Sequence, residues 1–531
     1  MRRTIFFAVG TLLLVLSAAL HAADAPKPNL VIINIDDMGY GDIGPYGSTL
    51  NRTPNLDRMA KEGRRLTTFY GAPVCSPSRA ALMTGCYPKR ALPIPHVLFP
   101  ANDVGLALSE VTVAEVLKSA GYATCVVGKW HLGDQPEMLP TRQGFDQWFG
   151  LPYSNDMGPA ADGVKSNFGA PLPAESKNPQ PPLPLMRGET VVQRVYAVDQ
   201  TRLVARYTEE ALRFIRAHKN ERFFLYLAHN AVHFPLYPGD RFRGKSANGL
   251  YGDWVEEVDW SVGEVLSTLR TEGLAEKTFV LFTSDNGGTP RAVNRPLRGF
   301  KGSTWEGGMR EPTIAWWPGK VPAGTSSDAI SGMVDVLPTF AALAGAPVPG
   351  DRKLDGADIR SVLMGDADAP GPHEVFYYFR GLELEAVRDR EWKLVLPTAA
   401  ANAAGKAKAK GKAKGNAKTA NTALLFNLKT DIGESTDVAA QHPEIVARLE
   451  KLVEKMKDDL GTTGFGPGCR PLGKVGNPQP LIGHDGKVRP GFEGPPNAEG
   501  SPTGPVSPVG TQFRAGDPVP KSDSSLKEKQ Q

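Results

Sequence analysis

Four apolar segments that each end in polar residues are the strongest constraint on the fold of this 531-residue chain. These segments are residues 29–37, 122–133, 222–235 and 277–288. Helical patterns lie between them, at residues 55–63, 111–121 and 253–273. Buried strands that alternate with helices predict an α/β fold with a mostly parallel sheet. Such a fold would gather the polar residues at the carboxyl ends of the strands.

The alternation ends near residue 370, and a different pattern follows. Three short strand-like segments and a helical pattern at residues 444–460 predict a small C-terminal α+β domain over residues 371–462. The large domain then covers residues 27–370. Residues 463–531 are rich in Pro and Gly, which predicts an extended or disordered tail.

A Lys/Ala/Gly tract at residues 399–421 interrupts the predicted small domain. It has no apolar face to bury, so we expect a disordered insertion. Attraction of a polyanionic substrate is the alternative role for its charge. A solvated loop is favoured, because no aromatic residues accompany the lysines.

The amino-terminal residues 1–23 have the three-part pattern of a secretory signal peptide: a basic start, an apolar run and small residues suited to cleavage. A membrane anchor is the alternative, but the apolar run is short for a span. We therefore expect export to the periplasm or the exterior, with no stable membrane span after cleavage.

The charge and cysteine content exclude two further classes of protein. A formal net charge of +4 gives no support to nucleic-acid binding. Four cysteines are too few for a disulfide-built scaffold, so the core must come from packing. If Cys75 is modified, at most one bridge can form among Cys86, Cys125 and Cys469, and the pairing is open.

The most informative segment is the run Val-Cys-Ser-Pro-Ser-Arg at residues 74–79. It sets the Cys75 thiol at a turn fixed by Pro77, and we expect a helix to begin with Ser78. The thiol would then lie near a helix N-terminus, where an anion is favoured. A lone cysteine of this kind is more often structural, so the functional interpretation depends on what surrounds it.

Residues 74–85 resemble the signature of the formylglycine-dependent sulfatases, and the pattern is closest to the arylsulfatase A type. Further matching motifs follow in order: IDDMGYGDIGPYG, TPNLDRMAKEG, GKWHLG, GLPYSNDMGP, SDNGG and FKGSTWEGGMREP. The resemblance implies an alkaline-phosphatase-like large domain, with helices on both sides of its sheet, and an antiparallel sheet in the small domain. It also implies hydrolysis of a sulfated saccharide or an aryl sulfate.

In that family the cysteine is oxidised to formylglycine (3-oxoalanine), which would require a formylglycine-generating or sulfatase-maturing enzyme as a partner of this chain. The hydrated aldehyde carries two hydroxyl groups on one carbon. One attacks sulfur, and the other expels sulfate and restores the aldehyde. The resemblance assigns this chemistry to Cys75.

Carboxylates and an amide at two strand ends form an oxygen-rich set, the ligand type that a hard cation prefers. Such pairs often only begin turns. The resemblance implies one calcium ion, with magnesium as the less favoured ion. Its expected ligands are Asp36, Asp37, Cys75, Asp285 and Asn286.

The resemblance also assigns roles to basic and polar residues in the matching motifs. Arg79 and His131 would position the formylglycine. The residues expected to contact sulfate are Lys129, Ser154, His233 and Lys301, with His233 as proton donor to the leaving oxygen. His229 is expected to lie behind the site, and the loops 95–105 and 171–190 are the expected substrate walls.

Two alternatives to a sulfatase remain open. A phosphoesterase or phosphonate monoester hydrolase would use the same architecture. An inactive carbohydrate-binding protein would result if Cys75 stayed a thiol, because a thiol lacks the second hydroxyl needed for release.

Overall fold

The computed structural model describes residues 27–397 and 422–494. The predicted signal peptide (1–23) and the insertion (399–421) lie outside the described residues, as does the tail beyond residue 494. Within the described ranges, no helix has the length and apolar character needed to cross a membrane.

The described residues contain strands and helices in alternation up to residue 364. The strands are β1 (Asn29–Ile35), β2 (Arg64–Leu66), β3 (Phe69–Tyr70), β4 (Val104–Gly105), β5 (Ala123–Gly128), β6 (Gln147–Gly150), β7 (Pro184–Arg187), β8 (Thr190–Arg194), β9 (Phe223–Ala228), β10 (Thr278–Ser284), β11 (Thr313–Trp316), β12 (Thr325–Ser327), β13 (Ser331–Gly332), β14 (Phe376–Arg380), β15 (Glu383–Arg388), β16 (Trp392–Val395), β17 (Leu424–Asn427) and β18 (Gly473–Lys474). The α-helices are α1 (Pro54–Glu62), α2 (Cys75–Thr84), α3 (Pro88–Ala91), α4 (Val113–Ser119), α5 (Ala197–Gln200), α6 (Leu203–Ala217), α7 (Gly249–Thr271), α8 (Glu306–Met309), α9 (Val336–Ala344), α10 (Arg360–Met364) and α11 (Pro443–Asp459).

A ten-stranded sheet forms the centre of the large unit, in the order β12-β2-β11-β10-β1-β9-β5-β6-β7-β8. Its middle strands β10, β1, β9, β5 and β6 run parallel. Antiparallel strands β11 and β7 border this parallel centre. The prediction of a mostly parallel α/β sheet is confirmed, and all four apolar segments of the sequence supply strands of its centre.

Alternate residues of β1 explain why the sheet is covered on both faces. Leu30 and Ile32 pack in a core that includes Leu117 of α4, whereas Val31 and Ile33 pack in a second core with Val262 of α7. Successive side chains of a strand point to opposite faces, so a continuous apolar run can only be buried between two helical layers.

A separate four-stranded antiparallel sheet, β14-β15-β16-β17, follows the large sheet. Helix α11 packs against it through Leu449, which meets Val387, Leu394 and Leu425. The predicted helix at 444–460 is therefore present with its boundaries shifted by one residue. Strands β16 and β17 pair directly, so the residues on the two sides of the insertion lie on neighbouring strands.

The described part of the predicted tail, residues 463–494, packs against the large sheet unit. Strand β18 pairs with β4, and the Val191 backbone N–H donates to the Phe492 carbonyl at 2.8 Å. Leu481 and Ile482 are buried. Residues 463–494 therefore help to cover the core.

All four cysteines are thiols in the structure, and three of them, Cys75, Cys86 and Cys125, are buried. The Cys86 sulfur lies 3.2 Å from Nη2 of Arg470, the neighbour of the partly buried Cys469. No disulfide joins Cys86 to Cys469 in this structure, and the pairing of the cysteines stays open.

A buried ionic cluster joins the small antiparallel sheet to helix α8 of the large unit. Lys393 of β16 donates to the Thr304 carbonyl at 2.8 Å and pairs with Glu306 at 2.9 Å and Glu434 at 2.8 Å. The side chains of all three charged residues are fully buried. A buried charge that loses its partner costs far more than a surface ion pair gains.

We expect Lys393→Met to destabilise the protein by about 3–5 kcal/mol, because it leaves two buried carboxylates without their shared cation. The shift in the denaturant midpoint measures this loss. Lys429→Met is the matched control: that side chain is 72% exposed and pairs with Glu391 at the surface, so the change should cost about 0.5 kcal/mol or less. Equal midpoints for the two variants would contradict the expectation.

Candidate active site

The candidate site is built where β1 and β10 end side by side. Their last residues, Ile35 and Ser284, are partners in the parallel register. The residues that follow these strand ends are Asp36, Asp37, Asp285 and Asn286. The Asn286 side-chain amide donates to Asp37 Oδ1 at 2.7 Å, and the Asp37 backbone N–H donates to Asp285 Oδ1 at 3.3 Å. The register of the two strands thus brings the predicted oxygen ligands together.

The oxygen donors at these strand ends are suited to a cation. All four residues are at most 1% exposed, so their carboxylates are removed from water. The Oδ1 atom of Asn286 is buried and has no hydrogen-bond partner within residues 27–397 and 422–494. Ligand atoms of Asp36, Asp37, Cys75 and His233 lie within 4.8 Å of one another. Buried carboxylates need positive charge nearby, and an unpartnered amide oxygen offers a further ligand atom.

Cys75 is the first residue of helix α2, preceded by Val74 in an extended conformation. The helix therefore begins three residues before the predicted start at Ser78. Pro77 causes no break, because the N–H that proline lacks would have no partner in the first helical turn. The Cys75 side chain lies at the helix N-terminus, as the sequence predicts.

The surroundings of Cys75 keep the encoded thiol unreactive. Burial raises its pKa well above the ordinary range, and the carboxylates of Asp285 and Asp36 raise it further. Its sulfur lies 3.3 Å from Asp36 Oδ1 and 3.4 Å from the Lys301 ammonium. A thiol in this position is protonated at neutral pH and is a poor nucleophile.

Three cations line the site, and each faces one carboxylate. Arg79 donates to Asp285 Oδ2 from Nε at 3.1 Å and from Nη2 at 2.8 Å. The Lys129 ammonium lies 2.5 Å from Asp36 Oδ2, and the Lys301 ammonium lies 2.6 Å from Asp37 Oδ1. Burial would lower the pKa of Lys301, but the charge of Asp37 holds it well above the usual value. Positive and negative charge are therefore balanced within the pocket.

His233 and Ser154 complete the candidate site, and of the two only His233 is partly exposed. Ser154 Oγ is 3.2 Å from the Lys129 ammonium and 3.3 Å from His233 Nδ1. His233 Nε2 lies 3.8 Å from Asp37 Oδ2, and its ring also contacts the Phe234 carbonyl. The Val232 backbone N–H donates to the Asp36 carbonyl at 2.7 Å, which fixes the segment that carries His233.

Two comparisons with protein families decide the identity of this arrangement. Residues 28–346 match the family described as Sulfatase, and residues 371–465 match the C-terminal region of aryl-sulfatase. The chain belongs to the sulfatase family. It is an enzyme that hydrolyses sulfate esters, a sulfuric ester hydrolase of the arylsulfatase type.

Relatives of this sulfatase match it over most of its length. It is 41% identical to N-acetylgalactosamine-6-sulfatase of Canis lupus familiaris, over 88% of this chain and 96% of the relative. It is 39% identical to arylsulfatase A of Homo sapiens, over 86% of this chain and 92% of the relative. The solved structure of Ps i-CgsB in complex with k-i-k-neocarrahexaose is 31% identical, with a TM-score of 0.64, over 81% of this chain and 92% of that one.

Two further histidines of the sulfatase, His131 and His229, have fully buried rings, whereas His233 is partly buried. His131 has a positive φ of 66° and contacts the Leu98 carbonyl through Nε2 at 2.9 Å. Burial and the charges of Lys129 and Arg79 hold the pKa of His131 well below its usual value. His229 contacts Ser261 of α7, and burial lowers its pKa to about 3.

The loop 95–105 lies beside Cys75 of the sulfatase. The Leu98 backbone N–H donates to Ser76 Oγ at 3.2 Å, directly after Cys75. Of the other predicted wall, residues 171–190, the segment Pro184–Arg187 forms β7, so only the part before it is a loop.

Sequence reasoning missed a residue that joins the two loops carrying the expected metal ligands of the sulfatase. Asp42 accepts hydrogen bonds from Gly39 N at 2.7 Å, Val293 N at 2.9 Å and the Tyr251 hydroxyl at 2.5 Å. It thereby ties the loop after Asp37 to the loop after Asn286. Burial raises its pKa to about 7.

Glu311 was missed as well. It is fully buried, and neither of its carboxylate oxygens has a hydrogen-bond partner in the described residues. Burial raises its pKa well above the usual value, and the charges of Asp285 and Asp37 add to the effect. The sequence signal for it was its place in the motif FKGSTWEGGMREP, although the motif assigns it no chemistry.

Proposed function

We propose that this sulfatase hydrolyses sulfate esters of a saccharide, with a formylglycine made from Cys75 as the nucleophile and one calcium ion at the adjoining oxygen ligands. The observation that carries the proposal is the position of Cys75. Its side chain lies between Asp36 of the oxygen set and the Lys301 ammonium, at the N-terminus of α2. A nucleophile placed there meets both a cation site and positive charge for the sulfuryl oxygens.

The expected ligands of the calcium ion are Asp36, Asp37, Asp285 and Asn286, with residue 75 after its oxidation. The unpartnered Oδ1 of Asn286 and the buried carboxylates support this set. A bound divalent cation would offset the carboxylate charge and so favour an anionic ester in the pocket. Calcium is preferred to magnesium by the resemblance, because oxygen ligands alone do not decide ion size.

The oxidised residue 75 supplies the release step that a thiol cannot. One hydroxyl of the hydrated aldehyde attacks sulfur, and the ester oxygen leaves with a proton as the alcohol. The second hydroxyl loses its proton, the C–O bond to sulfate breaks, and the aldehyde is restored. Water rehydrates it, so each turnover consumes one ester and one water.

The basic residues would share the remaining tasks. Lys129, Lys301 and Ser154 surround the space next to Cys75 and would donate hydrogen bonds to sulfuryl oxygens. Arg79 and His131 would hold residue 75 in position. His233 is the proposed proton donor to the leaving oxygen, and its contact with Ser154 supports this place in the pocket.

We expect His233→Gln to lower kcat by about 10²-fold or more for a sulfated sugar, because a sugar oxygen needs a proton to leave. For 4-nitrophenyl sulfate, whose phenolate leaves without a proton, the loss should be much smaller. Steady-state kinetics on both substrates measure the difference. His442→Gln, at a side chain that is 40% exposed, is the control. Equal losses on both substrates would contradict the role of proton donor.

A saccharide substrate is supported by the relatives. One is named for N-acetylgalactosamine 6-sulfate, and Ps i-CgsB was solved with a neocarrahexaose. We also propose the division into a removed signal (1–23), a catalytic domain (27–370), a small domain (371–462) with the insertion, and a tail (463–531). Export to the periplasm or exterior and oxidation of Cys75 by a maturing enzyme complete the proposal.

Release of sulfate from a panel of sulfated saccharides tests the function, with sulfate and phosphate esters of one alcohol compared side by side. We expect sulfate release to be faster. Faster cleavage of the phosphate ester would favour the phosphoesterase alternative. No cleavage of either ester, together with saccharide binding, would favour the inactive binding protein.

A further inference from the structure

An exposed arginine lies beside the mouth of the site and takes no part in the proposed chemistry. The Arg291 guanidinium lies over the ring of Phe234, with its carbon 5.3 Å from the ring centroid. Phe234 directly follows His233 and is partly buried, whereas Arg291 is exposed. Arg291 therefore lies next to the segment that carries His233, the proposed proton donor.

A second connection fixes Arg291 relative to the sulfate pocket. The Lys301 backbone N–H donates to the Gly288 carbonyl at 3.1 Å, so the turn that carries Arg291 starts beside Lys301. Within that turn, Ala292 N donates to the Thr289 carbonyl at 2.9 Å. Arg291 thus lies between the segment of His233 and the segment of Lys301, and both residues are proposed to contact sulfate.

Arg291 differs from the cations inside the pocket in its charge partners. Arg79, Lys129 and Lys301 each face a carboxylate of the site. Over residues 27–397 and 422–494, Arg291 forms no ion pair with a carboxylate and its side chain donates no hydrogen bond to one. The cation–π contact holds the guanidinium over Phe234 and leaves its N–H groups available to a planar or tetrahedral anion.

We propose that Arg291, held over the ring of Phe234, binds a second anionic group of the substrate, next to the sulfate that is hydrolysed. The substrate class is then a saccharide with at least two anionic groups, the second being a sulfate or a carboxylate on the same or the neighbouring sugar. This inference rests on the proposed action on saccharides and narrows it.

Binding is measured in the full calcium-loaded chain with Cys75→Ala, so that no ester is consumed. The probes are N-acetylgalactosamine 6-sulfate, its 4,6-disulfate, and a disaccharide in which a uronate is joined to the 6-sulfated sugar. Dissociation constants are taken by calorimetry at one ionic strength, because exposed charges are screened by salt. Binding does not depend on turnover, so this test can fail or succeed independently of the proposed hydrolysis.

We expect at least one of the doubly charged probes to bind about tenfold more tightly than the monosulfate, as a charge-assisted hydrogen bond allows. Adding Arg291→Met should remove that preference and leave monosulfate binding unchanged, while Arg291→Lys should retain part of it. If Arg291→Met removes the preference for the disulfate, the second anionic group can be a sulfate. If it removes the preference for the uronate disaccharide, the second group can be a carboxylate. The control Arg58→Met removes the same charge from a side chain that is 58% exposed on α1, and should change nothing.

The inference is overturned if neither doubly charged probe binds more tightly than the monosulfate, or if the preference survives Arg291→Met. It is also overturned if Arg291→Met weakens all three probes equally, or if Arg58→Met has the same effect. Because Arg291 is exposed, its substitution should leave the melting temperature unchanged, which a thermal scan of each variant verifies.

Discussion

Replacing Cys75 with alanine should abolish sulfate release, with a loss in kcat on the order of 10⁴-fold or more. The variant lacks the nucleophile, and the remaining cations can only bind the ester. Cys469→Ala is the matched control, since that thiol is only partly buried and contacts no residue of the site. Both variants are assayed with the same aryl sulfate and with a sulfated sugar. Full activity of Cys75→Ala would contradict the account.

Cys75→Ser separates attack from release. Serine offers one hydroxyl, so after attack its sulfate ester has no second hydroxyl to expel the sulfate. We expect at most one leaving group per enzyme molecule, and a gain in protein mass that equals one sulfuryl group. Steady turnover by this variant would show that the second hydroxyl is not needed.

Removal of the metal should have the second largest effect, a loss in kcat on the order of 10³-fold. Asp36, Asp37 and Asp285 are buried together and each pairs with one cation of the pocket, so without a divalent cation the pocket has no net positive charge to bind an anionic ester. Activity is measured after chelation and again after calcium or magnesium is added. We expect calcium to restore activity more fully than magnesium.

Asp37→Asn provides the corresponding variant for the metal site. It keeps the size of the side chain but removes one charge, so calcium affinity and activity should fall together. Asp485→Asn, at an exposed aspartate, is the control. A metal-free protein, verified by elemental analysis, that retained full activity would contradict the calcium proposal.

The sequence was sufficient to predict the centre of the fold, because the run from Asn29 to Ile35 can only be buried on both faces of a sheet. The same pattern predicted that Asp36 and Asp285 would each follow the end of a strand. It could not predict that Ile35 and Ser284 lie in register, since strand order is decided by packing between distant segments. The resemblance to known motifs supplied that step.

Other structural features could not be predicted, because they depend on contacts between residues that are far apart in the sequence. The sequence pattern predicts a helix that begins at Ser78, after Pro77. The helix begins three residues earlier, at Cys75, because a proline is tolerated within the first helical turn. The packing of Leu481 and Phe492 could not be foreseen, because scattered apolar residues in a Pro- and Gly-rich segment have no periodicity. Asp42 was missed because its hydrogen-bond partners include residues more than two hundred positions away.

The central claim is that residue 75 acts as an aldehyde, and the mass of the peptide that contains it tests this most directly. The peptide should be isolated from active protein produced with a sulfatase-maturing enzyme. We expect sulfur to be replaced by oxygen with the loss of two hydrogens, in a fraction of molecules that rises with specific activity. A fully active protein whose residue 75 is entirely unmodified cysteine would contradict the account.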